Sequence, residues 1–466
     1  MPVSTISSPS YPFPQEITQR IIRWCRGDPC VLAACSQVNF LWCQNALPRL
    51  YYDPWSQVKT FTKAEERLLR ARMLVETLLL SLVSHNTSAK RKILSQVFSK
   101  FVNQFESNSH SRKFRRPLAI EYFYLVREFD LSMIEKALHL VDSNILKAAS
   151  STSLKTTELS LRWYLNTFKK RCEPVEKVVI TELPFFCFEE IIPSLQNFPH
   201  LSRLELSSRN SSHPINGSHL ALIALACHQL QEIKIVNPAR LSSWLRTITD
   251  EDLSLVINSQ SKNTLRKIHL EGLVMVPLKA TLNSLRLQHP DSFRSLTLKQ
   301  CKISDRGDFS ILGDFPKFVQ LEFINCDNLT DQALLGAAAR CTQLHTLNLS
   351  GCSSVSFSTI AKFIETSKFS LRDLEFKDIP YNTEEARSSL AKCNHLKTLT
   401  LGDNISILKE MQSLISDLLN SCPLTQLDLG HAEIELTSAK QFYHYPRLNM
   451  VSFKTNSKTR YTLNYV

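Results

Sequence analysis

Glycine is scarce in this sequence, with 9 residues among 466. Glycine-rich loops that cradle phosphates and glycine-rich flexible linkers are therefore not expected. Long hydrophobic runs are also missing: the longest, Leu74 to Val83, has about ten residues and includes Glu76, too short to span a bilayer. Met1 to Pro12 has neither the basic start nor the apolar run of a secretory signal. These absences favour a chain of the cytoplasm, the nucleus or both.

The spacings of common catalytic motifs are missing as well. The sequence has no Gly-x-Gly-x-x-Gly, no Walker-type Gly/Lys loop, no Gly-x-Ser-x-Gly and no His-Glu-x-x-His. Its 13 cysteines are odd in number and dispersed, which favours reduced, small apolar side chains over a disulfide framework. Cys25, Cys30, Cys35 and Cys43 do not converge on a metal, because a five-residue step on a helix turns the side chain by about 140°. We expect no catalytic residue, no metal and no cofactor.

A repeated hexamer, apolar-x-x-apolar-x-apolar, dominates the C-terminal two thirds of the chain. Eleven copies start at intervals of 24 to 35 residues. Their apolar positions are Val175/Val178/Ile180, Leu201/Leu204/Leu206, Leu230/Ile233/Ile235, Leu265/Ile268/Leu270, Phe293/Leu296/Leu298, Phe318/Leu321/Phe323, Leu344/Leu347/Leu349, Leu371/Leu374/Phe376, Leu396/Leu399/Leu401, Leu424/Leu427/Leu429 and Leu448/Val451/Phe453. The alternation in the second half of each copy predicts a strand with one face buried.

Helix signals follow many of these strands. Thr330-Asp331, Thr249-Asp250 and Ser304-Asp305 place a hydroxyl or carboxylate where a helix N-cap is expected. A strand, a loop and a helix in about 26 residues form one unit that buries its apolar face only when copies stack. The sequence therefore predicts an α/β fold with a parallel sheet and a layer of helices.

The cysteines give this repeat a family resemblance. Cys301, Cys326 and Cys352 each fall three residues after the last strand hydrophobe, and Asn404 holds the same place. Other cysteines precede the next hexamer by two or three residues, at Cys227, Cys341, Cys393 and Cys422. The pattern resembles the cysteine-containing leucine-rich repeats. The resemblance implies a solenoid with a curved parallel sheet and outer helices, in which the cysteine position turns the chain off the strand.

The N-terminal segment carries a second resemblance. Phe13-Pro14-Gln15-Glu16-Ile17 opens a short amphipathic helix, Asp28-Pro29 reads as the start of another, and a Val-x-x-x-Trp run follows at Val38. The run resembles an F-box, although Phe13 stands where Leu is usual and Asn39-Phe40 replaces the usual element before the Trp. The resemblance implies docking on a Skp-type adaptor. The adaptor contacts that it implies are Phe13, Pro14, Ile17, Ile21, Leu32, Cys35 and Val38.

Three domains follow from these patterns: an F-box over 11–55, a helical basic spacer over 56–173, and leucine-rich repeats over 174–466. The spacer includes a predicted helix from Ala64 to Val83 and a single hexamer, Val126/Phe129/Leu131, that reads as a degenerate early repeat. It holds 21 Lys/Arg and 11 Asp/Glu, whereas the repeats hold 30 and 29. The formal charge of +12 therefore belongs mainly to the spacer, including its basic loop at 111–117.

F-box/leucine-rich-repeat proteins have this domain order, and the resemblance implies a non-catalytic substrate receptor of a Skp–cullin–F-box ubiquitin ligase. The alternatives are a repeat scaffold or inhibitor outside a ligase and a nucleic-acid-associated repeat protein. Residues that flank the strand hydrophobes are expected on the concave, substrate-binding face, where their mixed signs do not resemble a phosphate-tracking stripe. The candidates are Ser295, Thr297, Lys299, Gln320, Glu322, Thr346, Asn348, Ser350, Asp373, Glu375, Lys377, Gln426 and Asp428.

Overall fold

The structure is a computed structural model. It describes residues 46, 52, 55, 63–83, 126–138, 140, 175–181, 191–208, 214–237, 248–276, 278–303, 309–401, 408–433, 445, 447–454 and 460–464. The chain divides into two compact units, Met1–Leu201 and Ser202–Val466.

The first unit contains two short strands that pair in parallel. Its elements are helix α1 (Ala64–Val83), strand β1 (Glu128–Asp130), helix α2 (Leu131–Leu138), strand β2 (Lys177–Thr181) and a 3-10 helix (Ile192–Asn197). The helix predicted over Ala64–Val83 is present. Phe129 of β1 lies opposite Val178 of β2 in parallel register. The single hexamer at 126–131 therefore forms a strand that pairs as a repeat strand does.

The second unit is a run of strand–helix repeats. Its strands are β3 (Arg203–Ser207), β4 (Glu232–Val236), β5 (Lys267–Glu271), β6 (Val274–Val276), β7 (Ser295–Lys299), β8 (Lys302–Ile303), β9 (Gln320–Ile324), β10 (Thr346–Asn348), β11 (Asp373–Glu375), β12 (Thr398–Thr400), β13 (Gln426–Glu433), β14 (Met450–Lys454) and β15 (Arg460–Asn464). Its helices are α3 (Gly217–Ala226), α4 (Asp250–Ser259), α5 (Lys279–Gln288), α6 (Asp331–Arg340), α7 (Phe357–Ser367), α8 (Thr383–Leu390) and α9 (Leu408–Ser421), with a 3-10 helix at Ser310–Asp314.

The main sheet of this unit follows the order of the chain. Its strands run β3-β4-β5-β7-β9-β10-β11-β12-β13-β14-β15, parallel from β3 to β14. The last strand, β15, is antiparallel to β14. β6 and β8 form a separate parallel pair. Every one of the eleven predicted hexamers contains a strand, which confirms the predicted α/β leucine-rich-repeat fold.

The core lies between the strands and the helices. Every described hexamer hydrophobe is buried, and the helices bury a matching apolar stripe such as Leu334 and Ala337 of α6. Aromatic rings join the two layers: the Phe357 ring of α7 lies 5.5 Å from the Phe376 ring at the end of β11. Burial of these side chains, each worth about 1.5–3 kcal/mol, dominates the stability of the stack.

Hydrogen bonds between consecutive helices help to fix the position of one repeat against the next. Thr249 caps α4 by accepting from the Asp252 amide in a capping box. The next residue, Asp250, accepts from the Ala280 and Thr281 amides at the start of α5, at 2.6 and 2.8 Å. Asp250 is buried, so its carboxylate satisfies amides that would otherwise be orphaned at the neighbouring helix end. Asp250, which the sequence places at the N-terminus of α4, therefore caps the N-terminus of α5.

One predicted helix differs in the structure. The Ser304-Asp305 signal predicts a helix start there, but residues 304–308 lie outside the described part of the chain. The helical segment observed after β8 is the 3-10 helix Ser310–Asp314, which buries Leu312. Gly336 of α6 approaches the backbone of Ser310 so closely that a Cβ would collide with it. The glycine therefore lets α6 pack directly against this short helix.

Candidate functional site

The strand face opposite the core presents two rows of side chains. Along β9, Leu321 and Phe323 are buried, whereas Gln320, Glu322 and Ile324 are partly exposed. The parallel register repeats this arrangement from strand to strand. The first row contains Arg203, Glu232, Lys267, Ser295, Gln320, Thr346, Asp373, Thr398, Gln426 and Met450. The second row contains Glu205, Lys234, His269, Thr297, Glu322, Asn348, Glu375, Thr400, Asp428 and Ser452.

The thirteen candidate substrate-binding residues lie in these rows or just after them. Their exposure is unequal, however. Ser295, Thr297, Asn348 and Ser350 are buried, and they offer little surface to a partner. The rest are partly or fully exposed, namely Lys299, Gln320, Glu322, Thr346, Asp373, Glu375, Lys377, Gln426 and Asp428.

Many of these side chains bind one another across neighbouring strands. The Thr297 hydroxyl donates to Glu322 Oε2 at 2.9 Å, and Asn348 Nδ2 donates to Glu375 Oε2 at 2.8 Å. The Thr346 hydroxyl likewise donates to a carboxylate oxygen of the next strand, at 3.2 Å. Since donors and carboxylates are ordered by these bonds, the face is preorganised and loses little side-chain entropy when a partner binds.

Carboxylates are concentrated on the strands from β9 to β13. Burial raises the pKa of Glu375, and the nearby charges of Glu322, Asp428 and Asp373 raise it further, while Lys377 lowers it. Lys377 Nζ lies 3.1 Å from Asp428 Oδ2. We call Glu322, Asp373, Glu375 and Asp428 the acidic row. It keeps an excess of negative charge although Asp428 forms an ion pair with Lys377.

The strands from β3 to β5 carry paired charges instead. Lys234 Nζ lies 2.7 Å from Glu205 Oε1, and Lys267 Nζ lies 3.3 Å from Glu232 Oε1. Burial and the charge of Lys234 lower the pKa of His269, so its imidazole is neutral at physiological pH. The strand face therefore changes along the sheet, from paired charges of both signs on β3 to β5 to an excess of carboxylates on β9 to β13, which the sequence alone did not show.

Exposed cations occupy a position that the sequence reasoning missed. Arg266, Arg294, Arg372 and Lys397 each directly precede the first residue of a strand, β5, β7, β11 and β12 respectively, and all four are exposed. We call them the basic ridge. Their common signal was present in the sequence, because each follows the first hydrophobe of its hexamer.

The cysteines serve the turns that end the strands. The Cys301, Cys326 and Cys352 thiols are buried, and they donate to the carbonyls of Leu270, Leu298 and Phe323 one repeat back, at 3.6, 3.3 and 3.4 Å. The residue before each cysteine has a left-handed backbone: Gln300 (φ 51°), Asn325 (φ 51°) and Gly351 (φ 73°). This is the turn that the resemblance implies; the corresponding Asn404 lies outside the described residues.

Thiol chemistry does not suit the cysteines that precede the hexamers. Burial raises the pKa of Cys227, Cys341 and Cys393 to about 12, so they remain protonated at neutral pH and are poor nucleophiles. Across the described ranges, no group of three or more His, Cys, Asp or Glu side chains is arranged to hold a metal ion.

The predicted adaptor contacts cannot be placed in the fold. Phe13, Pro14, Ile17, Ile21, Leu32, Cys35 and Val38 all lie outside the described residues. Within the described ranges, no helix is long and apolar enough to cross a membrane.

Comparisons with known proteins find similarity to solved structures at low sequence identity. No family model and no curated protein matches the sequence. A chain of the Rad7–Elc1 complex from yeast shares 15% identity over 66% of this chain and 72% of its own, with a TM-score of 0.34. A chain of the TLR13–ssRNA13 complex shares 16% identity over 62% of this chain and 42% of its own, with a TM-score of 0.41. Because both TM-scores are below 0.5, the fold assignment rests on the strands, helices and register described above.

Proposed function

We propose that this chain is the substrate-recognition subunit of a Skp–cullin–F-box ubiquitin ligase, and that its repeats bind the target protein. The observation that carries the proposal is the strand face of residues 202–466, where polar and charged side chains stand in register across ten parallel strands. Such a face binds partners by shape and local charge, and solenoids commonly use it for that purpose.

The F-box-like run at 11–55 supports the ligase half of the proposal. A receptor of this kind performs no chemistry. It raises the effective concentration of the target beside the ubiquitin-charged enzyme and does not lower the intrinsic barrier of ubiquitin transfer. The proposed place of action is the cytoplasm, the nucleus or both.

Adaptor binding is the direct test, and point variants are preferable to deletion. Removing residues 1–55 would also remove the Tyr52 carbonyl, which accepts from the Arg127 and Glu128 amides at 3.1 Å each, and the buried Trp55. The variant Pro14→Ala/Ile17→Ala keeps these contacts. We expect the full-length wild type to co-purify with a Skp-type adaptor and the variant to lose at least about tenfold in affinity, since apolar anchors dominate such interfaces.

A matched control is available just upstream. Ile6→Ala/Pro9→Ala removes the same two residue types outside the F-box-like run, and it should bind the adaptor as the wild type does. Soluble, folded wild type that fails to bind the adaptor would refute the ligase assignment. The repeats would then be a scaffold or inhibitor that binds its partner without changing the lifetime of that partner.

A further inference from the structure

The basic ridge has a fixed geometry, because backbone hydrogen bonds join its members. The Arg294 amide donates to the Arg266 carbonyl at 2.8 Å, and the Lys397 amide donates to the Arg372 carbonyl at 2.7 Å. The strands between the two pairs continue the same ladder through Val319 and His345. Neighbouring strands lie about 4.8 Å apart, so the ridge is about 24 Å long.

The ridge cations are available to a partner. Within the described residues, none of their four side chains makes a hydrogen bond or an ion pair, whereas Lys234, Lys267 and Lys377 are paired with carboxylates. His345 occupies the equivalent position before β10, between the two pairs of ridge residues. Burial and the charge of Arg372 lower the pKa of His345, so the imidazole adds no positive charge to the four of the ridge at neutral pH. Three of them are guanidinium groups, whose forked donors match carboxylates in bidentate geometry.

We propose that the basic ridge binds an extended, carboxylate-rich segment of the protein partner. The proposal rests on the proposed function in one respect, that the strand face is the surface that binds the target. It adds the chemistry of the segment: Asp and Glu side chains spaced along a chain that crosses the strand starts from β5 to β12.

The acidic row explains why a protein segment fits this surface better than a nucleic acid. Asp373 directly follows the ridge residue Arg372, and Glu375 and Glu322 lie farther along their strands. A duplex is much wider than the ridge, so its phosphates would also lie over these carboxylates and be repelled. An extended peptide is about 5 Å wide in the plane of a sheet and can follow the ridge alone.

The test measures binding of a short fluorescein-labelled peptide of alternating Glu and Ser to the full-length chain by fluorescence anisotropy. The ridge variant is Arg266→Gln/Arg294→Gln/Arg372→Gln. The control variant, Lys279→Gln/Lys302→Gln/Lys362→Gln, removes the same charge from exposed lysines that lie outside the ridge. Thermal unfolding of both variants checks that these exposed substitutions leave the fold intact.

We expect the ridge variant to bind the Glu/Ser peptide at least about tenfold more weakly than the wild type, and the control variant to change by less than about twofold. Equal weakening by both variants would overturn the proposal, because net charge alone would then explain binding. A wild type that binds no Glu/Ser peptide would also overturn it. Tighter, ridge-dependent binding of a single-stranded oligonucleotide of the same net charge would assign the ridge to nucleic acid instead.

The two proposals fail separately. The adaptor test depends on residues 11–55, and the ridge lies in the second unit. Ridge-dependent peptide binding without adaptor binding would leave the ridge standing and remove the ligase. Adaptor binding by the ridge variant at wild-type strength, together with peptide binding that ignores the ridge, would do the reverse.

Discussion

The carboxylate of Glu135 lies in the interior of the first unit, with 1% of the residue exposed. Neither of its oxygens has a hydrogen-bond partner among the described residues. Burial raises its pKa from 4.5 to about 7, and Lys136 offsets this only in part. A buried, unpaired carboxylate opposes folding once it ionises, so this one side chain ties the stability of the unit to pH.

The sign of that dependence is definite. Because the folded pKa is raised above the unfolded value, the contribution of Glu135 to stability is fully present below about pH 4.5 and is lost as the pH rises through about 7. Glu135→Gln cannot ionise. We expect its unfolding free energy to exceed that of the wild type by about 2 kcal/mol more at pH 8 than at pH 5, in urea titrations.

The exposed Glu65 provides the control for this measurement. Glu65→Gln should differ from the wild type by an amount that does not change between pH 5 and pH 8. If the difference in unfolding free energy between Glu135→Gln and the wild type is equally constant over that range, ionisation of Glu135 does not destabilise the folded chain.

At the scale of the element, the turns after five consecutive repeat strands share one left-handed backbone position that different residue types occupy. The left-handed position is held by Gly272, Gln300, Asn325, Gly351 and Asp378 in consecutive repeats, with φ between 51° and 75°. In the first four of these repeats its amide donates to a carbonyl of the next repeat, for example from Gln300 to the Ile324 carbonyl at 2.8 Å. The backbone is therefore constant while the steric cost depends on the residue.

Two opposite substitutions test this cost. At Gly351 a Cβ would meet both a left-handed backbone and the Asn325 side chain, so Gly351→Ala should destabilise the second unit by about 2 kcal/mol. Gln300→Gly relieves the same strain and should stabilise it by about 0.5 kcal/mol. Chemical denaturation gives both values. Two changes of the same sign would contradict the left-handed geometry as the cause.

At the scale of the second unit, the sheet ends in a hairpin rather than in another repeat. β15 pairs antiparallel with β14, and Leu463 lies opposite Val451. The pairing adds a row of backbone hydrogen bonds to β14 and makes β15 the edge strand of the described sheet. This edge strand carries no hexamer.

Deleting residues 459–466 should therefore destabilise the second unit, because β14 loses the backbone pairing with β15. We expect the unfolding free energy of the shortened chain to be lower by at least about 1 kcal/mol in urea titrations. Thr462→Ser keeps the backbone pairing and should behave as the full chain does. A shortened chain as stable as the full chain would show that β15 adds nothing to the stability of the sheet.

The hexamer, its period and its cysteines determined the α/β repeat fold in advance, because the strand, the turn and the buried triplet are local and recur eleven times. The tertiary structure decided which charged side chains lie close to one another. Arg266, Arg294, Arg372 and Lys397 lie 25 to 131 residues apart in the sequence, and they look like ordinary surface cations there. Only parallel stacking in register makes them neighbours on one ridge, beside a row of carboxylates. The near-neutral charge of the repeats was readable from composition, whereas its separation into surfaces of opposite sign required the sheet.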